Sequence, residues 1–334
     1  LRTLEVGAGA NSTLGLHLFG EATEKGIFKD GRSLGLRLDG YYDVQSDDIS
    51  QGIANFRFRV PEVSSSPFTY TNDLRFQKLD SDTFEYDVER VALDTSVYRT
   101  FGVSSFSLSH GLQQDNLSNV SPDVILSSAD QGNVLLSYLN LNFSFDRRDN
   151  PINPSGGYFL RFDSSLSSSM IGSDESFFSL GGKFSTVQDL GESPFSIAYS
   201  LQTGGAWGFD DTEQIPITQR FYLGGRTSLR GFRENSLGPK GSQGGVIGGD
   251  FLLAQNLEFR YRVFETLSTH IFFDAGNVYL MDQGIDLGDT RESTGLGFRY
   301  LSPIGPIGLD FGTPLDEREG EPSIRIHFSV GTSF

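Results

Sequence analysis

The sequence predicts an all-β fold: a sixteen-stranded antiparallel transmembrane β-barrel, built as a single domain over residues 1–334. Three observations carry that expectation: apolar–polar alternation in segment after segment, an even number of strands, and the two longest connections at one end. Alternation is plain where Phe195, Ile197, Tyr199 and Leu201 share one face and Ser196, Ala198, Ser200 and Gln202 the other. Leu139, Leu141, Phe143 and Phe145 likewise oppose Asn140, Asn142, Ser144 and Asp146. Leu257, Phe259, Tyr261 and Val263 oppose Glu258, Arg260 and Arg262. Successive strand residues point to opposite faces, so an apolar row backed by charges puts one face in oil and the other in water or against fixed polar partners. A soluble sandwich has the same periodicity with its polar face outward, and periodicity alone leaves the two open.

Strand count and connection lengths favour the barrel. Strands are expected at 1–9, 13–21, 31–44, 51–61, 67–79, 83–94, 98–112, 133–146, 156–169, 175–187, 194–206, 250–263, 267–276, 293–301, 305–312 and 322–334. If the first runs outward, odd connections lie outside and even ones face the periplasm, where bacterial barrels keep turns short. The longest gaps, 207–249 and 113–132, are connections eleven and seven; 264–266 and 302–304 are tight and even. Connections 22–30 and 147–155 are longer even exceptions. An even count closes the sheet without leaving edges.

Composition sets the limits. With 13% aromatics, 40 glycines, 37% hydrophobic residues and 29 Phe against one Trp and two Met, the chain is long enough for one large β unit. No apolar run approaches the roughly 20 residues a spanning helix needs, which excludes a helical membrane protein but not a barrel. The lack of cysteine fits a periplasmic or surface life without a disulfide framework. A net charge of -17 argues against nucleic acid as a partner. Residues 1–10 already read as a strand and not as a signal peptide, so the expectation is a mature fragment with upstream sequence removed.

The segment 219–240, QRFYLGGRTSLRGFRENSLGPK, is too polar and Gly-rich to be a strand, and long loops among strands usually carry function. Through Phe221, Tyr222, Gly224, Gly225, Arg230, Gly231 and Phe232 it resembles the sixth extracellular loop of the BamA/TamA superfamily of outer-membrane assembly barrels. The SLGPK stretch, from Ser236 to Lys240, looks most like the BamA type. DRRDNPINPSGG from Asp146 resembles the superfamily's turn between strands eight and nine. HIFFDAGNVY from His270 is similar to its strand-thirteen signature, and GLGFRYLSPIGPIGLDFG from Gly295 to its final hairpin. At the chain end Ile324, Ile326, Phe328, Val330 and Phe334 share a face, and IHFSVGTSF, which includes Gly331, resembles the carboxy-terminal insertion signal. The first 130 residues carry only generic barrel pattern.

The resemblance implies that the long extracellular loop folds back into the lumen, where Arg230 pairs with Glu258 and Asp274. Alternation phase puts Glu258 with Arg260 and Arg262, and Asp274 with Phe272. A guanidinium binds carboxylates bidentately, which Lys cannot copy. Gly231 would let the loop backbone turn against the wall, and Phe232 would wedge it. The implied function is folding and inserting client β-barrel proteins into the bacterial outer membrane, without nucleotide hydrolysis and without a cofactor. Gly7, Gly9 and Gly331 would weaken the seam between first and last strands, and an opened edge is a template for an incoming strand. Implied partners are outer-membrane lipid and lipopolysaccharide, unfolded clients, periplasmic repeat domains of the same chain and accessory lipoproteins. Two alternatives stand: a two-partner-type secretion pore, and the barrel anchor of a surface-delivered lipase.

Signals for enzymatic chemistry are poor. GRSLG matches a nucleophile-elbow pattern, but Ser33 opens an alternating strand rather than a strand-to-helix turn. His17, His110, His270 and His327 are isolated, read as wall residues, and lack metal-ligand spacing. The acidic stretches at Asp47–Asp48 and from Asp316 to Glu321 read as solvated faces, with divalent-cation binding as the alternative. Arg226 and Arg233 read as solvated or paired with surface acids.

Overall fold

The computed structural model describes residues 2–330 apart from 13, 27–30, 44–47, 64–65, 81–83, 152, 303–304 and 319. Sixteen strands follow one another: β1 (Arg2–Asn11), β2 (Gly15–Lys25), β3 (Ser33–Asp43), β4 (Asp48–Val60), β5 (Thr69–Leu79), β6 (Asp87–Phe101), β7 (Ser104–Ser118) and β8 (Gly132–Asp146). The second half comprises β9 (Gly156–Ser167), β10 (Phe177–Asp189), β11 (Phe195–Gly208), β12 (Phe251–Arg262), β13 (Leu267–Tyr279), β14 (Arg291–Ser302), β15 (Gly305–Pro314) and β16 (Arg325–Val330). Each pairs antiparallel with its sequence neighbours and β16 returns to β1, closing the barrel. The alternation therefore reports a closed membrane sheet and not a sandwich.

The burial pattern is inside-out, as a lipid-facing sheet requires. Large apolar side chains point outward and stay exposed, among them Leu18, Phe56, Leu108, Ile271 and Phe328. The inner face changes character along the axis. Toward the long-connection end it is apolar (Val134, Leu136, Leu252, Ala254 and Val278, all buried), and toward the short-turn end it carries Glu258, Arg260 and His270. Against the apolar end pack three clusters: Leu223, Leu229, Phe232 and Leu237 on Leu252 and Val278; Ile215 on Leu136 and Phe177; Ile217 on Tyr86 and Val124. The segment between β11 and β12 contributes to every one, so the hydrophobic core lies where this connection meets the inner wall.

One pair of strands runs further than the sequence suggests. The expected break after residue 94 is continuous ladder, with Asp94 opposite Gly111 and Val97 opposite Leu108, and the turn falls at Gly102 and Val103. Asp94 imitates a turn residue because it is polar, yet its carboxylate accepts from Arg75 Nη2 at 2.9 Å and from the Tyr138 hydroxyl at 2.9 Å across the inner wall. Gly102, at φ 61°, supplies the left-handed conformation that the true turn needs. The turn after β8 is tied by Asp149, which accepts from the Asn150 amide at 2.8 Å and from the Ser155 hydroxyl and amide. The Ser155 hydroxyl is the main influence drawing its carboxyl down to about 2.

Candidate functional site

The connection between β11 and β12 is held by two buried arginines, each against a different part of the molecule. Arg230 sits at its tip, with a side chain only 5% exposed. Nε and Nη2 donate to the two oxygens of Asp274 on β13, at 2.9 and 2.8 Å, and Nη1 donates to Glu258 Oε1 on β12 at 2.5 Å. The Arg230 amide also donates to Asp274 Oδ2 at 3.0 Å. Burial alone would weaken the proton's hold on this guanidinium, but the carboxylates of Asp274 and Glu258 outweigh it and leave Arg230 more basic than usual. The guanidinium lies 3.7 Å from the ring centre of Phe272, a cation–π contact in a desolvated site.

The inner wall is shaped to admit this tip. Gly231 has φ 98°, and a Cβ on Gly312 of β15 would run into the backbone of Arg230 and Gly231, so the two main chains meet with no side chain between them. Gly295 and Gly297 on β14 leave the space taken by the rings of Phe272 and His270. The Gly231 amide donates to His327 Nε2 on β16 at 3.4 Å. Phe232 is 2% exposed within the first apolar cluster, and the Arg291 guanidinium lies 4.8 Å from its ring centre. Asp316 and Glu321 hold Arg291 at 2.6 and 2.7 Å; Asp316 stays exposed, as the sequence suggests, and both serve as ion-pair partners.

The charge set is wider than the three residues the motif implies. Asp310 on β15 accepts from Arg299 Nη1 and Nη2 at 2.8 and 2.9 Å and lies 3.0 Å from His270 Nε2, while Arg260 donates to Glu258 Oε2 at 2.8 Å. His270 and His327, read in the sequence as isolated, therefore belong to the tip's surroundings. Strand phase already places His270 on the face of Phe272 and Asp274, and that signal was available. Arg226 is half-buried and lines the same lumenal cavity as Arg230, not the outer surface. Among the described residues no group of His, Asp and Glu has the arrangement to hold a metal ion.

Arg220, the second arginine, is one the motif did not single out. Its side chain is 1% exposed, its partner Asp130 0%, and Nη2 meets Asp130 Oδ2 at 2.5 Å. Its remaining donors reach the carbonyls of Ile215, Val124 and Ile247 at 2.7, 3.3 and 3.2 Å. Asp130 also accepts from the Ile217 and Leu126 amides. Asp130 lies between β7 and β8, so this pair joins the two long connections to each other. Asp123 reinforces the join by accepting from the amides of Gln243 and Gly245, each at 2.8 Å, and from the Ser242 hydroxyl at 3.0 Å.

At the seam, Ala10 pairs with Val330 and Asn11 with Ser329, and the Ser12 amide donates to the Phe328 carbonyl at 3.1 Å. Gly7 and Gly9 lie on β1 opposite Phe19 and His17 of β2, and the Phe19 ring occupies the space a Gly7 side chain would take. Phe328 points outward and is 42% exposed. Gly331 and Phe334 lie outside the described residues.

A closed sixteen-stranded barrel, with its longest connection anchored on the inner wall by an arginine, defines a class of outer-membrane protein. The Omp85 superfamily domain matches residues 10–334, and the chain belongs to that family. It is 26% identical over 340 residues to the outer membrane protein assembly factor BamA of Nitratidesulfovibrio vulgaris, covering 98% of this chain and 41% of that protein. A SAM50-like protein of Drosophila melanogaster is 24% identical, with coverage of 91% and 70%. The fold is similar to that of BamA from Haemophilus ducreyi lacking POTRA domains 1–3, at TM-score 0.85, 20% identity and coverage of 98% and 69%. It is also similar to CdiB from Acinetobacter baumannii, at TM-score 0.60, 16% identity and coverage of 98% and 58%. The chain thus spans about two fifths of its BamA relative. Family and fold together place it in the bacterial outer membrane.

Proposed function

We propose that this barrel folds and inserts client β-barrel proteins into the bacterial outer membrane, without catalysing a chemical reaction. The observation that carries the reading is the occupied loop end of the lumen. Three apolar clusters built on the connection between β11 and β12 occupy the loop end, so a route for clients along the wall fits better than one through the middle. The assembly-factor names of several relatives support the same reading. The wall route would use the seam. A client strand would add to the edge of β1, whose Gly7 and Gly9 weaken its ladder, while the outer apolar rows hold lipid and lipopolysaccharide. Periplasmic repeat domains of the same chain and accessory lipoproteins would deliver clients to that edge.

The test places the protein in liposomes with a urea-denatured outer-membrane client and follows the folded, protease-resistant fraction. Accelerated folding that Ala10→Cys/Val330→Cys loses on oxidation and regains on reduction is expected. No acceleration, with large ion conductance instead, would overturn the reading in favour of a secretion pore. Full activity with the seam locked would remove the seam from it.

A further inference from the structure

Toward the short-turn end of the lumen, beneath the loop tip, lies a cavity of about 270 Å³ whose charge is one-sided. Arg148, Lys183, Arg226, Arg260 and Arg299 line it together with Arg230, and the one carboxylate on its wall is Glu258. Glu258 is already shared by Arg230 and Arg260. Arg148 is neutralised by Asp146 and Arg299 by Asp310. Lys183 differs: it lies directly opposite Arg161, which is itself paired with Asp163, in the β9–β10 ladder and opposite Gln202 in the β10–β11 ladder, and it makes no ion pair among the described residues. Asp163 answers Arg161 and leaves Lys183 without a carboxylate of its own, in a chain whose net charge is -17. Ser185, two residues on and on the same face of β10, adds a hydroxyl donor beside it. Glu258, Arg260, Arg299 and Pro154 also line a second cavity that reaches the short turn between β12 and β13, so the two cavities adjoin on the turn side.

We propose that this cavity is a receptor for a small oxyanion, a carboxylate or phosphate group that completes the charge balance around Lys183. A lysine without a carboxylate in a lumen lined by further Arg side chains favours an anion, and Lys183 is exposed to an incoming one. The volume admits such a group with a few waters and excludes a folded segment. The ion would arrive from the turn end, either free in solution or as the terminal carboxylate of an incoming polypeptide. The inference rests on the charges and the cavity and not on the insertase reading.

Radiolabelled inorganic phosphate is dialysed to equilibrium against the protein in nanodiscs of neutral phosphatidylcholine. Saturable binding is expected, weakened about tenfold in Lys183→Gln and largely kept in Lys183→Arg, with heat-modifiable migration on gels checking that each variant is folded. Two peptides carrying the last fifteen residues of this chain then compete, one with a free carboxylate and one amidated. Displacement by the acid alone identifies a chain terminus as the natural occupant; saturable phosphate binding that neither peptide disturbs identifies a free oxyanion. Absence of saturable phosphate binding, or wild-type binding by folded Lys183→Gln, overturns the proposal.

Discussion

Arg220 and Arg230 belong to one connection and are both buried, yet they face different neighbours. Arg220 joins loop to loop: its carboxylate comes from the segment between β7 and β8, and its other donors end on main-chain carbonyls. Arg230 joins loop to wall, with carboxylates from two adjacent strands. The first pair closes a cap whose parts are all connection, whereas the second fixes that cap to the cylinder. Stability and positioning are therefore divided between them, and substitutions should separate the two.

Arg220→Ala should have the largest effect on stability. It leaves Asp130, with no exposed surface, without its cation and strips three carbonyls of a donor, a loss of about 3 to 5 kcal/mol. Urea unfolding in detergent, with protease cleavage inside 209–250 as a second readout, checks this. Arg230→Lys comes next. A single ammonium cannot serve Asp274 and Glu258 in the planar geometry, so about 1.5 to 3 kcal/mol should go, and client folding should fall more than thermal stability does. Equal losses in both assays would erase the division between cap and anchor. Glu258→Gln should cost less than Asp274→Asn, because Arg230 keeps both Asp274 bonds and an amide oxygen still accepts at position 258; a double-mutant cycle with Arg260 measures the remainder.

The smallest effect concerns pH. Slight desolvation would raise the Asp123 carboxyl, but the amides of Gln243 and Gly245 and the Ser242 hydroxyl outweigh it and hold it below the usual carboxylate range. A carboxyl depressed in the folded state contributes fully above its unfolded pKa of about 4, and that contribution is lost as pH falls below it. Hydrogen exchange at the Gln243 and Gly245 amides, corrected for intrinsic rates, should lose protection on acidification below that point, and Asp123→Ala should abolish the dependence.

The barrel was legible because alternation with a period of two is a property of each strand alone, and all sixteen strands were found from it. The misplaced boundary between β6 and β7 has a physical cause: Asp94 and Ser96 face the lumen, where polar side chains belong to strands, whereas composition alone assigns them to turns. The geometry around Arg230 lies partly within reach of strand phase, which puts Glu258 and Asp274 on inward faces. Arg220 and Asp130 carry no such signal. Both lie in irregular segments, where neither period nor turn chemistry says what meets what, and their contact exists only once the barrel has brought connections seven and eleven to the same end. Lys183 was silent for a related reason: its opposition to Arg161 depends on register, which one strand read alone does not reveal.

The contact between Gly231 and Gly312 has a mechanical meaning. Because the tip also touches β12, β13 and β16 through Glu258, Asp274 and His327, it works as a spoke set against four staves of the cylinder. Two main chains in direct contact leave no compliant side chain to absorb movement, so any change in circumference on that arc must be transmitted to the spoke. Across β2 to β7, where charges pair strand to strand, as Arg57 with Asp73 and Arg90 with Asp115, the described residues make no main-chain contact of this kind with the tip.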